Sequence, residues 1–216
     1  MRKIEKEFLS EKAYRLIKNK VSFSNDQYIS IRKISKELNM GYSPIREACQ
    51  RLHQEGLLKG LPGIGYFIPQ IEMKNIIEIF EVRKVVEKHV FKKVFDSLTD
   101  EHLIALSGYI TKEINYLKQK DIKGFRRYDK KFHMLFFKVY NNSVLVNLMK
   151  NVMDKYFICS YKTLNSIDKN ENIDAIEEHE SIIKYIKQKN KQKAVKELMK
   201  HIHNSEERNK KGYYHR

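Results

Sequence analysis

The sequence predicts a mainly α protein in two parts: an N-terminal winged helix-turn-helix (three helices plus a β-hairpin wing) over residues 1–70, then an all-α antiparallel bundle of about six helices over 71–216. Three observations predict it. All three prolines and five of the eight glycines lie between positions 41 and 69, so turn chemistry is concentrated there. From residue 71 onward there is no proline, and apolar residues recur at helical spacing nearly to the end. A length of 216 residues with 41% apolar content is enough for two small domains, each burying its own core.

Leu9, Ala13, Leu16 and Ile17 fall on one helical face and define a first amphipathic helix. Ser30 is placed to cap a second helix carrying Ile31, Ile34 and Leu38. Asn39-Met40-Gly41 supplies a tight turn, and Ser43 is expected to cap a third helix with Pro44 as its first residue. On that helix Ile45, Ala48, Cys49 and Leu52 form the inward stripe, which leaves Arg46, Glu47 and Gln50 outside. Outward Arg and Gln near a helix N-terminus are suited to reading base edges in a major groove. Gly56 ends the helix. Leu57-Leu58-Lys59, a Gly60–Gly63 turn containing Pro62, and Gly65-Tyr66-Phe67-Ile68 then make the wing hairpin. A small helical domain with a hairpin of another purpose would share this pattern.

Six bundle helices are expected over 72–96, 99–119, 121–140, 143–164, 174–189 and 191–208, with Thr99 and Ser143 as N-caps. The Lys/Asn-rich stretch 165–173 reads as a loop and the polar tail 209–216 as a frayed end. The third of these helices has the inward stripe Ile122, Phe125, Asp129, Phe132, His133, Phe136 and Val139, so a carboxylate and an imidazole one turn apart interrupt an apolar face. His179 stands on the stripe Ile176, His179, Ile183, Ile186, and His201 on Val195, Leu198, His201, Ile202. One Asp and three His on three helices offer oxygen and nitrogen ligands for a divalent transition metal such as Zn²⁺, Ni²⁺ or Mn²⁺. Core hydrogen bonding by the same four groups is the plainer alternative. His53, His89, His102, His203 and His215 have no such setting and are expected to face solvent.

A net charge of +16, from 43 Lys/Arg against 27 Asp/Glu, suits a polyanion partner such as nucleic acid. The excess is six in residues 1–70 and ten in 71–216, similar per residue, so charge does not locate the surface. The first residues lack a signal-peptide apolar region, and no apolar run exceeds four residues, which excludes a membrane span and implies a cytoplasmic chain. Cys49 and Cys159, far apart among apolar neighbours, read as reduced thiols rather than a disulfide framework.

The run Ile34-Ser35-Lys36-Glu37-Leu38-Asn39-Met40-Gly41-Tyr42-Ser43-Pro44-Ile45-Arg46-Glu47-Ala48, continued by Gln50-Arg51-Leu52-His53-Gln54-Glu55-Gly56-Leu57-Leu58 and Pro62-Gly63-Ile64-Gly65-Tyr66-Phe67-Ile68, resembles the DNA-binding domain of GntR regulators. The resemblance implies that Arg32 and Arg46 are DNA-contacting arginines, Ser43 a phosphate-contacting hydroxyl and Gly65 the wing-tip glycine. Two positions depart from the family pattern. Gly41-Tyr42 replaces a common Ser or Thr followed by Arg, and Ile64 replaces a common basic residue. Base preference therefore need not follow the commonest operators, while Tyr42 can bond a phosphate and Gln50 remains on the reading face.

Residues 75–205 resemble the FCD effector domain of the FadR-like branch, through Asp129-x-x-Phe132-His133, Asn141-Asn142-Ser143, Glu178-His179 and Met199-Lys200-His201-Ile202. In metal-binding members the Asp and three His of these motifs hold the ion, which implies a centre of Asp129, His133, His179 and His201. The family effector is commonly a small carboxylate on or beside the metal. Arg83, on the stripe Ile76, Phe80, Arg83, Val86/Glu87 and Val90, is the candidate for that carboxylate, because a guanidinium fork matches it in two-point contact. An Arg83–Glu87 ion pair on the same helix is the alternative.

These readings converge on a homodimeric, non-enzymatic transcriptional regulator that binds a pseudo-palindromic operator in double-stranded DNA and responds to a small organic acid. Two other functions stay open. A metal-dependent enzyme could use the Asp/His₃ centre, although no further carboxylate is expected beside the ligands as general base. A metal could also serve only to staple the bundle.

Overall fold

The computed structural model describes residues 8–23, 27–61, 64–164 and 169–214, with the side chains of 162–171 left aside. The chain divides into two compact units, Met1–Gln70 and Ile71–Arg216.

The first unit runs α1 (Leu9–Phe23), β1 (Tyr28–Ile29), α2 (Ile31–Leu38), α3 (Tyr42–Gln54), β2 (Lys59–Leu61) and β3 (Gly65–Phe67). α3 packs against α1 and α2. Ala13, Ile17 and Val21 of α1 meet Ile34 of α2 and Ile45, Ala48, Cys49 and Leu52 of α3 in the buried set. The α1 stripe thus runs through Ala13, Tyr14, Ile17 and Val21, whereas Leu9, expected inward, is 62% exposed one turn before the packed region. Ser30 caps α2, its side chain accepting from the Lys33 N–H, and Asn39 closes that helix in the left-handed conformation. Ser43 is not the cap of α3. Gly41 occupies that position and the helix starts one residue earlier than Ser43, whose hydroxyl bonds Glu47 Oε1 at 3.2 Å instead.

The wing is a three-stranded antiparallel sheet of order β1-β3-β2, with Tyr28 opposite Phe67 and Leu61 opposite Gly65. Two differences from expectation arise here. Gly60 lies within β2, paired with Tyr66, rather than in the turn, and β1 adds an edge strand that two residues were too short to announce. Pro62 and Gly63 of the expected turn lie outside the described residues. Gly65 has φ +137°, and a Cβ there would meet the Tyr28 hydroxyl at 2.8 Å, so both backbone and neighbour demand glycine.

The second unit contains α4 (Met73–Val94), a 3₁₀ turn (Phe95–Ser97), α5 (Asp100–Lys118), α6 (Ile122–Tyr140), α7 (Ser143–Leu164), α8 (Lys169–Lys187) and α9 (Lys191–Tyr214). α5 packs on α6, α6 on α7 and α8 on α9, while α4 packs across α6, α7 and α9. Thr99 caps α5, its N–H donating to His102 Nδ1 at 3.1 Å, so His102 is a half-buried cap partner rather than a free surface group. Asn142 rather than Ser143 caps α7, its Oδ1 accepting from the Leu145 N–H at 3.1 Å. α8 starts at Lys169, inside the stretch expected to be loop. α9 continues to Tyr214 with Asn209 and Gly212 buried, so the polar tail is helix as far as it is described: packing against α4 and α7 overrides its polarity. Among the described residues no helix is long and apolar enough to cross a membrane.

Candidate metal centre and nucleic-acid interface

In the first unit Arg32, Tyr42, Ser43, Arg46 and Gln50 are all exposed. Ser43, Arg46, Glu47 and Gln50 follow i, i+3, i+4, i+7 spacing on α3, the face opposite Ile45, Ala48, Cys49 and Leu52. The amphipathic stripe that anchors α3 in its core therefore determines which side chains it offers outward.

In the second unit the apolar stripes pull four polar residues inward. Asp129, His133, His179 and His201 are 2%, 0%, 0% and 1% exposed, and each places one ligand atom within 4.8 Å of the others. α6, α8 and α9 supply them. His133 Nε2 and His201 Nε2 stand 3.1 Å apart. The His179 ring is 4.4 Å from that of His201 and stacks on Phe132 at 3.9 Å.

Three further carboxylates surround the histidines, where no carboxylate beside the ligands was expected to serve as general base. Glu87 Oε2 lies 2.6 Å from His133 Nδ1, Glu113 Oε2 lies 3.1 Å from His179 Nδ1 and Glu178 Oε2 lies 2.8 Å from His201 Nδ1. Each carboxylate is spent on the outer ring nitrogen, which leaves every Nε2 on the inner side. Glu113 was visible in principle: it sits on the α5 stripe Leu106, Ile110, Glu113, a charge on an apolar face like Asp129. Arg126 and Arg208 carried no comparable signal: Arg126 precedes a second arginine, Arg208 stands in a polar run, and packing encloses both.

Electrostatics follow from this enclosure. Burial alone would raise Glu87, but the charges of Arg83 and His133 hold its carboxyl well below the usual range. Glu178 is likewise held low, burial being outweighed by hydrogen bonds from His201 and Arg208. Asp129 stays below its ordinary value despite burial through the charges of His133, His179, Arg126 and Arg83. Burial pushes Glu113 up, and the Glu113 charge in turn pushes His179 up against the effect of its own burial. Burial, aided by the charge of His179, pulls His201 down to about 3.

The residues fit a metal. Among the described residues Asp129 Oδ2 and His179 Nε2 have no hydrogen-bond partner, and both are buried. If all three Nδ1 atoms donate to carboxylates, the Nε2 atoms are lone pairs, and two of them face each other at 3.1 Å. Such an arrangement is repulsive without a cation between them. The set of one carboxylate and three imidazoles suits Zn²⁺, Ni²⁺ or Mn²⁺. A second grouping, His203, Glu206 and Glu207 on α9, is weaker, since Glu206 is already bonded by Lys84 and Lys210 and the other two are exposed.

Arg83 is fully buried and forms the expected alternative, an ion pair from Nε to Glu87 Oε1 at 2.6 Å. Its Nη2 approaches His133 Nε2 at 3.3 Å, and among the described residues its Nη1 has no hydrogen-bond partner. The guanidinium packs over the Tyr156 ring at 4.3 Å. Arg126 is also buried, giving Nη2 to Asn172 Oδ1 at 3.1 Å while its Nε has no partner. A groove of about 640 Å³ between α8 and α9 opens beside Glu178, Asn204 and Arg208, on the outer side of the His201 support. His53, His89 and His203 are exposed as expected, while His215 lies outside the described residues.

Residues 78–204 match the FCD domain family. The chain is 28% identical over 183 residues to the HTH-type transcriptional regulator YdhC of Bacillus subtilis, covering 84% of this chain and 80% of that protein. It is 30% identical over 174 residues to the gluconate operon transcriptional repressor of Bacillus licheniformis, covering 79% and 71%. Among solved structures it is similar to E. coli McbR/YncC, with a TM-score of 0.85 at 17% identity over 95% of this chain and 98% of that one. It is also similar to the metal-free FCD domain of TM0439, with a TM-score of 0.56 at 22% identity over 68% and 100%.

Proposed function

Because the chain belongs to the FCD-domain transcriptional regulators of the GntR family, we propose that its operator affinity is set by a small carboxylate bound at a divalent metal on Asp129, His133, His179 and His201. The relatives are regulators of transcription rather than enzymes, and GntR-type regulators bind DNA. In this reading Arg46 and Gln50 face base edges, Arg32, Tyr42 and Ser43 face phosphates, and Gly65 lets the wing approach the duplex. A cytoplasmic homodimer places two such units on a pseudo-palindromic site.

The observation that carries the effector reading is the meeting of Arg83 with the metal cluster at His133 Nε2, 3.3 Å from Nη2. A divalent ion and a guanidinium aimed at one nitrogen repel each other unless an anion lies between them. A carboxylate is the small anion that could bridge them, taking the ion with one oxygen and the unpartnered Arg83 Nη1 with the other. When bound, the metal would supply an open coordination position and Lewis acidity. The protein's own part is to keep Arg83 charged and the four ligands dry. The full burial of those ligands favours a second reading, a metal that only staples the bundle.

Elemental analysis of untagged protein purified without chelators, joined to a thermal-shift screen of small carboxylates with and without metal, tests both. The panel includes gluconate, since one relative is named for a gluconate operon. Wild type is expected to hold about one ion per chain and to shift with one acid only when loaded, while His133→Ala loses the ion. Stoichiometric metal in that variant would put the site elsewhere. Metal whose removal unfolds the bundle, with no response to any acid, selects the structural reading.

A further inference from the structure

We infer that Glu87, Glu113 and Glu178 are positioning residues that aim the three histidines at one point, each by accepting the Nδ1 proton of a single ring. The inference rests on the metal reading above and concerns groups outside the ligand set. A neutral imidazole carries one proton, and the nitrogen that keeps it is the one with the better acceptor. Here the pairing is one carboxylate to one histidine, at 2.6, 3.1 and 2.8 Å, from α4, α5 and α8. With Nδ1 protonated in all three rings, Nε2 is the lone pair in all three, and the Nε2 atoms are the convergent ones.

The three carboxylates are not equally committed. Glu87 also accepts from Arg83, and Glu178 also accepts from Asn204 at 2.7 Å and from both terminal nitrogens of Arg208. Those two could be held in the bundle by their arginines alone. Glu113 has no such second use. It is 0% exposed, and among the described residues its Oε1 has no hydrogen-bond partner and His179 is its one hydrogen-bonded neighbour. A buried carboxylate with one oxygen unsatisfied costs stability, so its contribution lies in what it does to the His179 ring.

The test uses the full-length, chelator-stripped protein and Co²⁺ as the probe, titrated against a chromophoric competitor while the d–d absorbance is recorded. Glu113→Gln keeps an acceptor without the charge, and Glu113→Leu removes both. Expected are an affinity loss of about 10–100-fold and displaced d–d bands, larger for Leu than for Gln, while the melting temperature of the metal-free protein does not fall. A purely structural carboxylate cannot give weaker metal binding together with an undiminished metal-free fold. Should Glu113→Leu fail to fold, Glu113→Gln decides by the same readout, and Glu178→Gln by affinity and spectrum alone, because it also loses the charge paired with Arg208. Wild-type affinity and spectrum in the Gln variants overturn the inference and leave the metal reading standing. Failure of wild type to bind Co²⁺ overturns both.

Discussion

Glu87 Oε2 lies 2.6 Å from His133 Nδ1, and the same carboxylate takes the Arg83 Nε–H on its other oxygen at 2.6 Å. One buried side chain thus joins a proposed metal ligand to the proposed effector contact. A ligand that moves the guanidinium moves the acceptor of His133, which gives a direct physical route for coupling between the two sites.

Arg83→Lys separates charge from shape at this point. Lysine keeps the counter-charge for Glu87 but cannot present a planar fork. The variant is expected to retain metal, to lose about 1–3 kcal/mol of stability through the hydrogen bonds it cannot replace, and to lose most of the metal-dependent thermal shift with the responsive acid. An undiminished shift would remove Arg83 from the effector site.

Arg46 is exposed on α3, away from the core, so its removal should leave the fold intact. Arg46→Ala is expected to weaken specific binding by roughly 1–3 kcal/mol and to relax preference at one base position. Fluorescence anisotropy at fixed salt, on a duplex selected from a random pool, measures it. Equal affinity of variant and wild type would contradict the recognition-helix assignment.

Glu206 ties α9 to α4 through Lys84 and is also bonded by Lys210 at 2.8 Å. Burial tends to raise its carboxyl, but hydrogen bonds from Lys210 and Lys84 hold it below the ordinary value. A group whose folded value is depressed adds stability above the unfolded value of about 4.3, and that share is lost as the pH falls through the folded value. Denaturant melts of Glu206→Gln and wild type should therefore differ at pH 7, by about 1 kcal/mol for partly exposed partners, and the gap should shrink as the pH falls below the unfolded value and through the lower folded one. A constant gap across that range would show that the ion pair contributes nothing.

Burial pushes the Cys49 thiol up to about 11, and Cys159 is buried as well. Neither should react with an aromatic disulfide reagent at pH 8 in the folded protein, and both should react in denaturant. Rapid labelling of the native state would place at least one thiol outside its core.

Much of this molecule is local in origin. The periodicity of Ile45, Ala48, Cys49 and Leu52 already implies which face of α3 carries Arg46 and Gln50, because a helix with one apolar stripe has one way to sit on a core. The same logic turns Asp129, His133, His179 and His201 inward, and the structure brings those four together. Local chemistry misleads at the polar tail, which suggests fraying although the helix runs to Tyr214, and at two helix starts, where Ser43 and Ser143 suggest caps but Gly41 and Asn142 stand in that place.

The sequence by itself determined the order of the helices and the four inward polar residues, since each follows from apolar spacing within one segment, while the family resemblance pointed to Gly65 in the wing. Only the tertiary structure decided which carboxylate serves which histidine, that Glu113 is spent on His179, and that Arg83 reaches His133 Nε2 as well as Glu87. The pairs that join different helices lie 23 to 66 residues apart. Their registration depends on how α4, α5, α6, α8 and α9 cross, a property of packed surfaces that no single helix carries.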